Sequence, residues 1–304
     1  MLKFTFLGTS SAVPTKTRNH PSIYLEFDGN RVLLDCGEGT QRQIRKAGLS
    51  PSVSDIFLTH WHGDHSLGVG GMIHNLNMIG QDSIRLYGPA GTNSSVKSLI
   101  SAYRFDMRIK VFTKSLDAKK ETKIATIGNY DFFAINVKHT VKCLSYKIKE
   151  KDSINIDSDK LKKYGIKPGP ALKKLKEGKD AVIDGIKIRA KDVTYIKKGR
   201  TLVYMTDLVY EDRLLKFVKG ADVLIIESTL HSDLQSKAGK FMHLTVNDAV
   251  KIGKKAEVKK IFLVHTSQRY EGQTSIEDDM KKQVAALRYK GEAALPNDLD
   301  GFLL

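Results

Sequence analysis

Within Asp55-Ile56-Phe57-Leu58-Thr59-His60-Trp61-His62-Gly63-Asp64-His65, three histidines and an aspartate fall inside six residues. Imidazole nitrogen and carboxylate oxygen at this density are metal-ligand chemistry. One ion cannot easily take all four donors from so short a loop. Two ions can, the first on His60 and His62 and the second on Asp64 and His65. Neighbouring metals suit hydrolysis, because water held between them is acidic near neutral pH while both ions stabilise developing charge. A solvated polar loop is the bland alternative, and the donor density argues against it.

The surrounding sequence has to position these groups. Ile56 to Leu58 reads as a buried strand ending at Thr59, so His60 and His62, two apart in extended chain, project together. Ser66 can then open a helix that carries Leu67, Met72 and Ile73. Three more candidates follow expected strands: His139 after the β-like run to Val137, Asp207 after Leu202 to Thr206, and His265 after Ile261 to Val264. Layered α/β folds build sites in this way, from strand ends along one sheet edge. Two ions need about eight protein bonds. The seven side chains supply them if Asp207 bridges: His60, His62, His139 and Asp207 on one ion, Asp64, His65, His265 and Asp207 on the other. Asp35, between the strand Val32 to Leu34 and a glycine-rich turn, is placed to support such a site from behind. Glu227 ends its own strand. Strands then alternate with helices to a last helix over Ser275 to Lys290, with others over Thr92 to Tyr103 and Thr245 to Ala256. His20, His74 and His231 read as packing or surface residues, Cys36 as a small buried one, and Trp61 as packed beside the metal loop.

The 304 residues give ample length for a core, and 50 Lys+Arg against 34 Asp+Glu leave a net charge of +16. Such an excess suits a polyanionic partner, nucleic acid first. Two cysteines exclude a disulfide framework, and no 18-residue apolar run or signal-peptide pattern is present, so a cytoplasmic protein without membrane contact is expected. Lysines concentrate in residues 147 to 179, where 11 Lys face 5 Asp/Glu. The chain is accordingly expected to be one domain over 1–304, with residues 150–185 inserted as a flexible, protruding basic arm. Lys162, Lys163, Lys167, Lys173 and Lys174 are its candidate phosphate contacts. A second polar, basic loop over 13–22 offers Arg18 and Asn19.

The metal motif resembles that of the metallo-β-lactamase superfamily, and the flanking motifs resemble ribonuclease Z, the tRNA 3′-processing endonuclease. Phe6-Leu7-Gly8-Thr9 with Pro14-Thr15 and Arg18-Asn19 is similar to that family's opening. Leu34-Asp35-Cys36-Gly37-Glu38-Gly39-Thr40-Gln41-Arg42-Gln43 is close to its signature. Gly165 to Pro170 resembles the arm that grips the tRNA elbow, and His265-Thr266-Ser267-Gln268-Arg269-Tyr270 the last metal motif, adding Ser267 and Arg269 as RNA contacts. Thr206 and Leu208 around Asp207, Gly70-Gly71 and Thr266 depart from the pattern without removing a ligand. The resemblance implies a four-layer αβ/βα sandwich, two zinc ions per chain with other divalent metals as alternatives, and a homodimer whose partner subunit presents its arm to precursor tRNA.

It also implies roles. Asp64 would accept the proton of the attacking water, and His243, in His243-Leu244-Thr245, would donate to the departing 3′-oxygen. Cleavage would leave a 3′-hydroxyl on the tRNA and a 5′-phosphate on the trailer. A helix N-terminus just beyond His243 is expected to lower its proton affinity until a phosphodiester docks there. Glu227 is placed to orient it. Two rivals stand beside this reading. A small-molecule hydrolase such as a cyclic phosphodiesterase or lactonase would share the ligands and lack the arm. A non-catalytic RNA-binding protein would close its zinc with four ligands, often cysteines.

Overall fold

The computed structural model describes every residue except 103–105, 167–168, 171, 184 and 272–274. Short apolar runs broken by Gly, Asn and Asp become strands. Ser22–Phe27 and Asn30–Leu34 pair across Asp28 and Gly29, whose φ values of 48° and 73° match the twist of a tight hairpin. Among the described residues the chain forms two seven-stranded sheets. The first runs Gly301–Leu303, Lys3–Gly8, Ser22–Phe27, Asn30–Leu34, Asp55–Phe57, Ser83–Pro89, Lys110–Leu116. The second runs Glu292–Ala294, Lys260–Val264, Val223–Glu227, Thr201–Met205, Cys143–Glu150, Tyr130–Val137, Thr122–Ile127.

Each central strand is apolar on both faces, as burial between two layers requires. Phe4, Phe6, Leu25 and Phe57 of the first sheet meet Phe132, Tyr146, Tyr204 and Phe262 of the second in one core. Phe57 stacks on Tyr87 at 4.4 Å and on Phe132 at 4.7 Å. Ile44, Met72, Ile73 and Val96 cover the outer face of the first sheet, and Leu214, Phe217, Val250 and Met280 that of the second. The result is the four-layer αβ/βα sandwich expected. No helix among the described residues is long and apolar enough to cross a membrane.

Two compact units are present, Met1–Ile148 with Thr201–Leu304, and Lys149–Arg200. The second has a core of its own, in which Leu161, Ile166, Leu172, Leu175, Ile183, Ile188 and Val193 pack together. Ser153–Ile156 pairs with Thr194–Lys197, so this unit closes only near residue 200, beyond the 150–185 expected for the arm. The leucines and isoleucines of that core turn inward, while Lys162, Lys163, Lys173 and Lys174 stay exposed. Lys167 lies outside the described residues.

Some helix ends differ from the sequence reading. The metal loop enters a short helix at Gly63–Ser66, and a second, Gly68–Met78, follows it, so the helical chain begins before Ser66. Gly91 at φ 106° precedes Thr92–Ser101, and the Thr92 hydroxyl donates to the Pro89 carbonyl. Tyr103 lies outside the described residues. The last helix stops at Leu287, short of Lys290.

Two loops at the sheet edge are locked together. Cys36 N donates to His65 O at 2.9 Å, and Gly68 N donates to Cys36 O at 3.0 Å. This contact leaves no room for a side chain: a Cβ on Gly68 would collide with the carbonyl of Gly37. Gly68→Ala should therefore destabilise the protein by about 1–3 kcal/mol, the usual cost of overpacking. A denaturation midpoint equal to that of the parent would show that the loops can separate freely.

Candidate metal centre

The site residues leave their strands at sharp turns. Asp35, Asp207 and His265 follow three strand ends with φ of 58°, 55° and 60°, left-handed values that cost a non-glycine residue roughly 1 kcal/mol or more each. Their side chains are thereby swung to one edge, where His60, His65 and His139 join them.

Two groups of donors form. His60, His62, His139 and Asp207 lie within 4.8 Å of one another, as do Asp64, His65, Asp207 and His265. In the first, His60 Nε2 is 2.9 Å from His62 Nδ1 and 3.3 Å from Asp207 Oδ2, and His139 Nε2 is 3.3 Å from His62 Nδ1. In the second, His65 Nε2 is 3.2 Å from His265 Nε2 and 3.3 Å from Asp64 Oδ2, and His265 Nε2 is 3.1 Å from Asp207 Oδ1. Asp207 faces both groups. All seven residues read as ligands from the sequence are thus brought together in the two sets expected.

The outward nitrogens are committed elsewhere. Asp35, with no exposed surface, accepts from Thr59 N at 2.7 Å, Thr59 Oγ1 at 2.9 Å, His65 Nδ1 at 2.8 Å and Tyr204 Oη at 2.8 Å. A carboxylate only accepts, so the single Thr59 hydroxyl hydrogen goes to Asp35 and its oxygen accepts from His60 Nδ1 at 3.0 Å. His139 Nδ1 donates to the Met242 carbonyl at 3.2 Å. With Nδ1 used, the Nε2 lone pairs of these rings converge on carboxylates and on one another.

That arrangement calls for positive charge. Burial and the neighbouring His65 push His60 down to about 4, and burial lowers His139 as well. Burial opposes protonation of His65 too, yet the charges of Asp35 and Asp207 outweigh it and raise the ring well above its ordinary range. Burial would raise Asp64 and Asp207, but the histidines hold both carboxyls below the usual range. A proton on His65 is one way to satisfy these anions. A divalent ion in each group is the other, and it also relieves the lone-pair contacts, so the N and O donor sets fit metal.

His243 stands beside both groups, its ring centre 5.6 Å from that of His265 and 5.5 Å from that of His139. Its Nδ1 donates to Glu227 Oε2 at 3.0 Å. Burial disfavours its charge, but Glu227 more than compensates and raises it to about 9. This overturns the expectation of a lowered proton affinity. The helix begins at Val246, with Thr245 and Asp248 forming a capping box, so His243 sits two residues outside its cap while a full carboxylate lies in contact. Asp207, Glu227, His243 and His265 also lie within 4.8 Å, but Glu227 already accepts from Leu208 N at 2.7 Å and from the Thr229 hydroxyl.

The cleft over the site has a volume of about 430 Å³ and is lined by Val13, Phe241, His243, Ser267 and Arg269 among others. Ser267 is buried and accepts from Arg269 Nε at 3.1 Å. Arg18 and Asn19 are used internally. The Arg18 guanidinium bonds Thr9 Oγ1, Pro296 O at 2.7 Å and Asn297 Oδ1, and Asn19 Nδ2 bonds Glu38 O at 2.8 Å. Both brace the loop. Cys36 is fully buried, with its thiol pushed up to about 12 by burial, and Trp61 donates to Thr92 Oγ1 at 2.9 Å beside the loop. His20 is buried in packing, and His231 accepts from Asp233 N. The sequence reading missed the parts of Thr59, Tyr204, Thr229 and the Met242 carbonyl, whose bonds to Asp35, His265 and His139 span 24 to 169 positions and form only on folding.

Comparison with known proteins agrees with this geometry. The family model described as Anti-Pycsar protein Apyc1 matches residues 2–167, and that of the Beta-lactamase superfamily domain matches residues 191–266. Ribonuclease Z of Methanococcus maripaludis strain C5 is 36% identical over 286 residues, covering 92% of this chain and 90% of that one. Ribonuclease Z of Methanocaldococcus jannaschii is 38% identical, covering 89% and 87%. The crystal structure of the short form of human tRNase Z aligns over 99% of this chain and 98% of that one with a TM-score of 0.70, and at 23% identity it speaks for the fold alone.

Asp35 holds His65 directly and His60 through Thr59, so disturbing it should disturb both groups. Asp35→Asn keeps the shape but turns one acceptor into a donor, and zinc affinity should fall about 10- to 100-fold. Trp61, the only tryptophan, reports loading through its fluorescence during chelator titration. Identical titration curves for the two proteins would remove Asp35 from any role in metal binding.

Proposed function

We propose that this chain, which belongs to the ribonuclease Z family, is a metal-dependent endoribonuclease that removes the 3′ trailer from precursor tRNA. The observation that carries the reading is the pair of His/Asp groups sharing Asp207, with the His243–Glu227 pair beside them in an open cleft. We take the cofactor to be two zinc ions, one held by His60, His62, His139 and Asp207 and the other by Asp64, His65, His265 and Asp207. When bound, such ions supply an acidified water and positive charge opposite the reacting phosphate.

The chain's own groups do the rest. Asp64 accepts the proton of the attacking water from its place at the cleft. Glu227 holds His243 by Nδ1, so a protonated ring presents Nε2–H to the departing 3′-oxygen. The products are a tRNA with a 3′-hydroxyl and a trailer with a 5′-phosphate. Ser267 and Arg269 serve the RNA backbone at the cleft. Lys162, Lys163, Lys173 and Lys174 contact tRNA phosphates, and the working form is a cytoplasmic homodimer in which one subunit's basic unit serves its partner's tRNA. A small-molecule hydrolase of the same fold has no need of that basic unit.

The direct test is incubation of zinc-loaded protein with a 3′-extended precursor tRNA, followed by sizing and end analysis of both products. No cleavage at the trailer junction would refute the reading. The acid role has its own signature. His243→Ala should slow tRNA cleavage about 10²–10⁴-fold while both metals stay bound. It should slow a nitrophenyl phosphodiester far less, since that leaving group needs no proton. Equal slowing on both would rule out proton donation. Changing Lys162, Lys163, Lys173 and Lys174 together to Ala should weaken tRNA binding and flatten its salt dependence, by about one unit of slope for each phosphate left without its lysine. An unchanged slope would place the phosphate-binding groups elsewhere.

A further inference from the structure

Glu227 is two residues from Thr229, and both are buried. The Thr229 hydroxyl lies 2.6 Å from Glu227 Oε2 and 2.8 Å from His265 Nδ1. It has one hydrogen to give. A carboxylate can only accept, so the hydrogen goes to Glu227, and the Thr229 oxygen must accept from His265. His265 then carries its hydrogen on Nδ1, which leaves the Nε2 lone pair directed at Asp207 Oδ1, 3.1 Å away, and at His65 Nε2, 3.2 Å away. The polarity of the chain is fixed by the chemistry of its end group.

The same Glu227 oxygen takes a second donor, His243 Nδ1 at 3.0 Å, while Oε1 takes Leu208 N, the amide that follows Asp207. One buried carboxylate is therefore tied to the backbone beside Asp207, to His243 directly and to His265 through a threonine. The arrangement has a counterpart in the other half of the fold. There Asp35 holds His65 directly and His60 through Thr59, whose hydroxyl again has its hydrogen committed to the acid. Two independent strand ends thus use the same four parts: an acid, a threonine and two histidines.

We propose that Thr229 is a positioning residue whose hydroxyl locks His265 in the form protonated on Nδ1 and couples it, through Glu227, to His243. This rests on the metal-centre reading, because it assigns the His265 Nε2 lone pair to a metal. Without the hydroxyl, His265 Nδ1–H has no acceptor and Glu227 loses a donor, so the ring is free to place its hydrogen on Nε2. The effect is felt at both histidines because Glu227 Oε2 holds His243 directly and His265 through the Thr229 hydroxyl.

Thr229→Val removes the hydroxyl at nearly constant shape, and Thr229→Ser retains it. Two readouts need no RNA: zinc affinity by chelator competition, and the histidine tautomers seen in long-range ¹H–¹⁵N correlation spectra of zinc-free protein. The valine variant should bind zinc about 10- to 100-fold more weakly and show His265 partly protonated on Nε2. The serine variant should keep the Nδ1–H form and bind within about threefold of the parent. Valine binding zinc as well as the parent, with His265 still in one form, would overturn the proposal, as would serine being impaired as much as valine. If the valine variant fails to fold, Thr229→Ala removes the same hydroxyl and is judged by the same two outcomes. A parent protein that binds no zinc would instead refute the metal-centre reading itself.

Discussion

Buried negative charge is the constraint around which this molecule is organised. Asp35 and Glu227 have no exposed surface, and Asp207 has almost none. A carboxylate so placed costs on the order of several kcal/mol unless donors or cations compensate it. Each acid meets that demand with donors gathered from separate segments. Asp35 takes them from Thr59, His65 and Tyr204, and Glu227 from Leu208, Thr229 and His243. The histidines that satisfy these acids on one side present their remaining nitrogens on the other. The same bonds that make burial tolerable therefore aim the rings.

Backbone strain serves the same end. A strand that continued straight past Leu34, Met205 or Val264 would carry the next side chains along the sheet. The left-handed turns at Asp35, Asp207 and His265 point them across its edge instead. Such conformations persist only where neighbouring structure over-determines them. Here Asp35 N donates to Phe57 O, and Ser228 N to Val264 O, which pins the strand ends on either side. The position of Asp207, facing both donor groups, follows from a left-handed turn at φ 55°.

How much of this was legible in the sequence depended on the range of each interaction. The seven candidate ligands announced themselves because four lie in one short motif and the others follow apolar runs that read as strands. The strand and helix order was legible for the same reason. Asp35 and Glu227 were legible as supports from their strand ends, and what escaped was the rest of the support around them. Tyr204 looks like any apolar residue of a buried strand until it meets Asp35, 169 positions away. Arg18 and Asn19 looked like phosphate contacts because they are polar residues in a basic loop. Their partners, Pro296, Asn297 and Glu38, are supplied by distant turns. The basic segment read as an arm because lysines dominate its composition, although its leucines and isoleucines suffice for a small core.

The charge state of His243 shows which effect governs at such an edge. A helix N-terminus amounts to about half an elementary charge spread over the first turn, and it fades within that turn. The cap at Thr245 places His243 outside that range, and the first-turn amides are already answered, Val246 N by Leu230 O, Asn247 N by Ser232 Oγ and Asp248 N by Thr245 Oγ1. Glu227, a full charge at 3.0 Å in a buried setting, is the larger influence, and the ring is raised to about 9. A histidine read from sequence as the neighbour of a helix is therefore better understood as the partner of an acid on the adjacent strand. Through Thr229 that acid also holds His265. The orientation of His243 and the readiness of His265 to offer Nε2 are thus two consequences of where one carboxylate is buried.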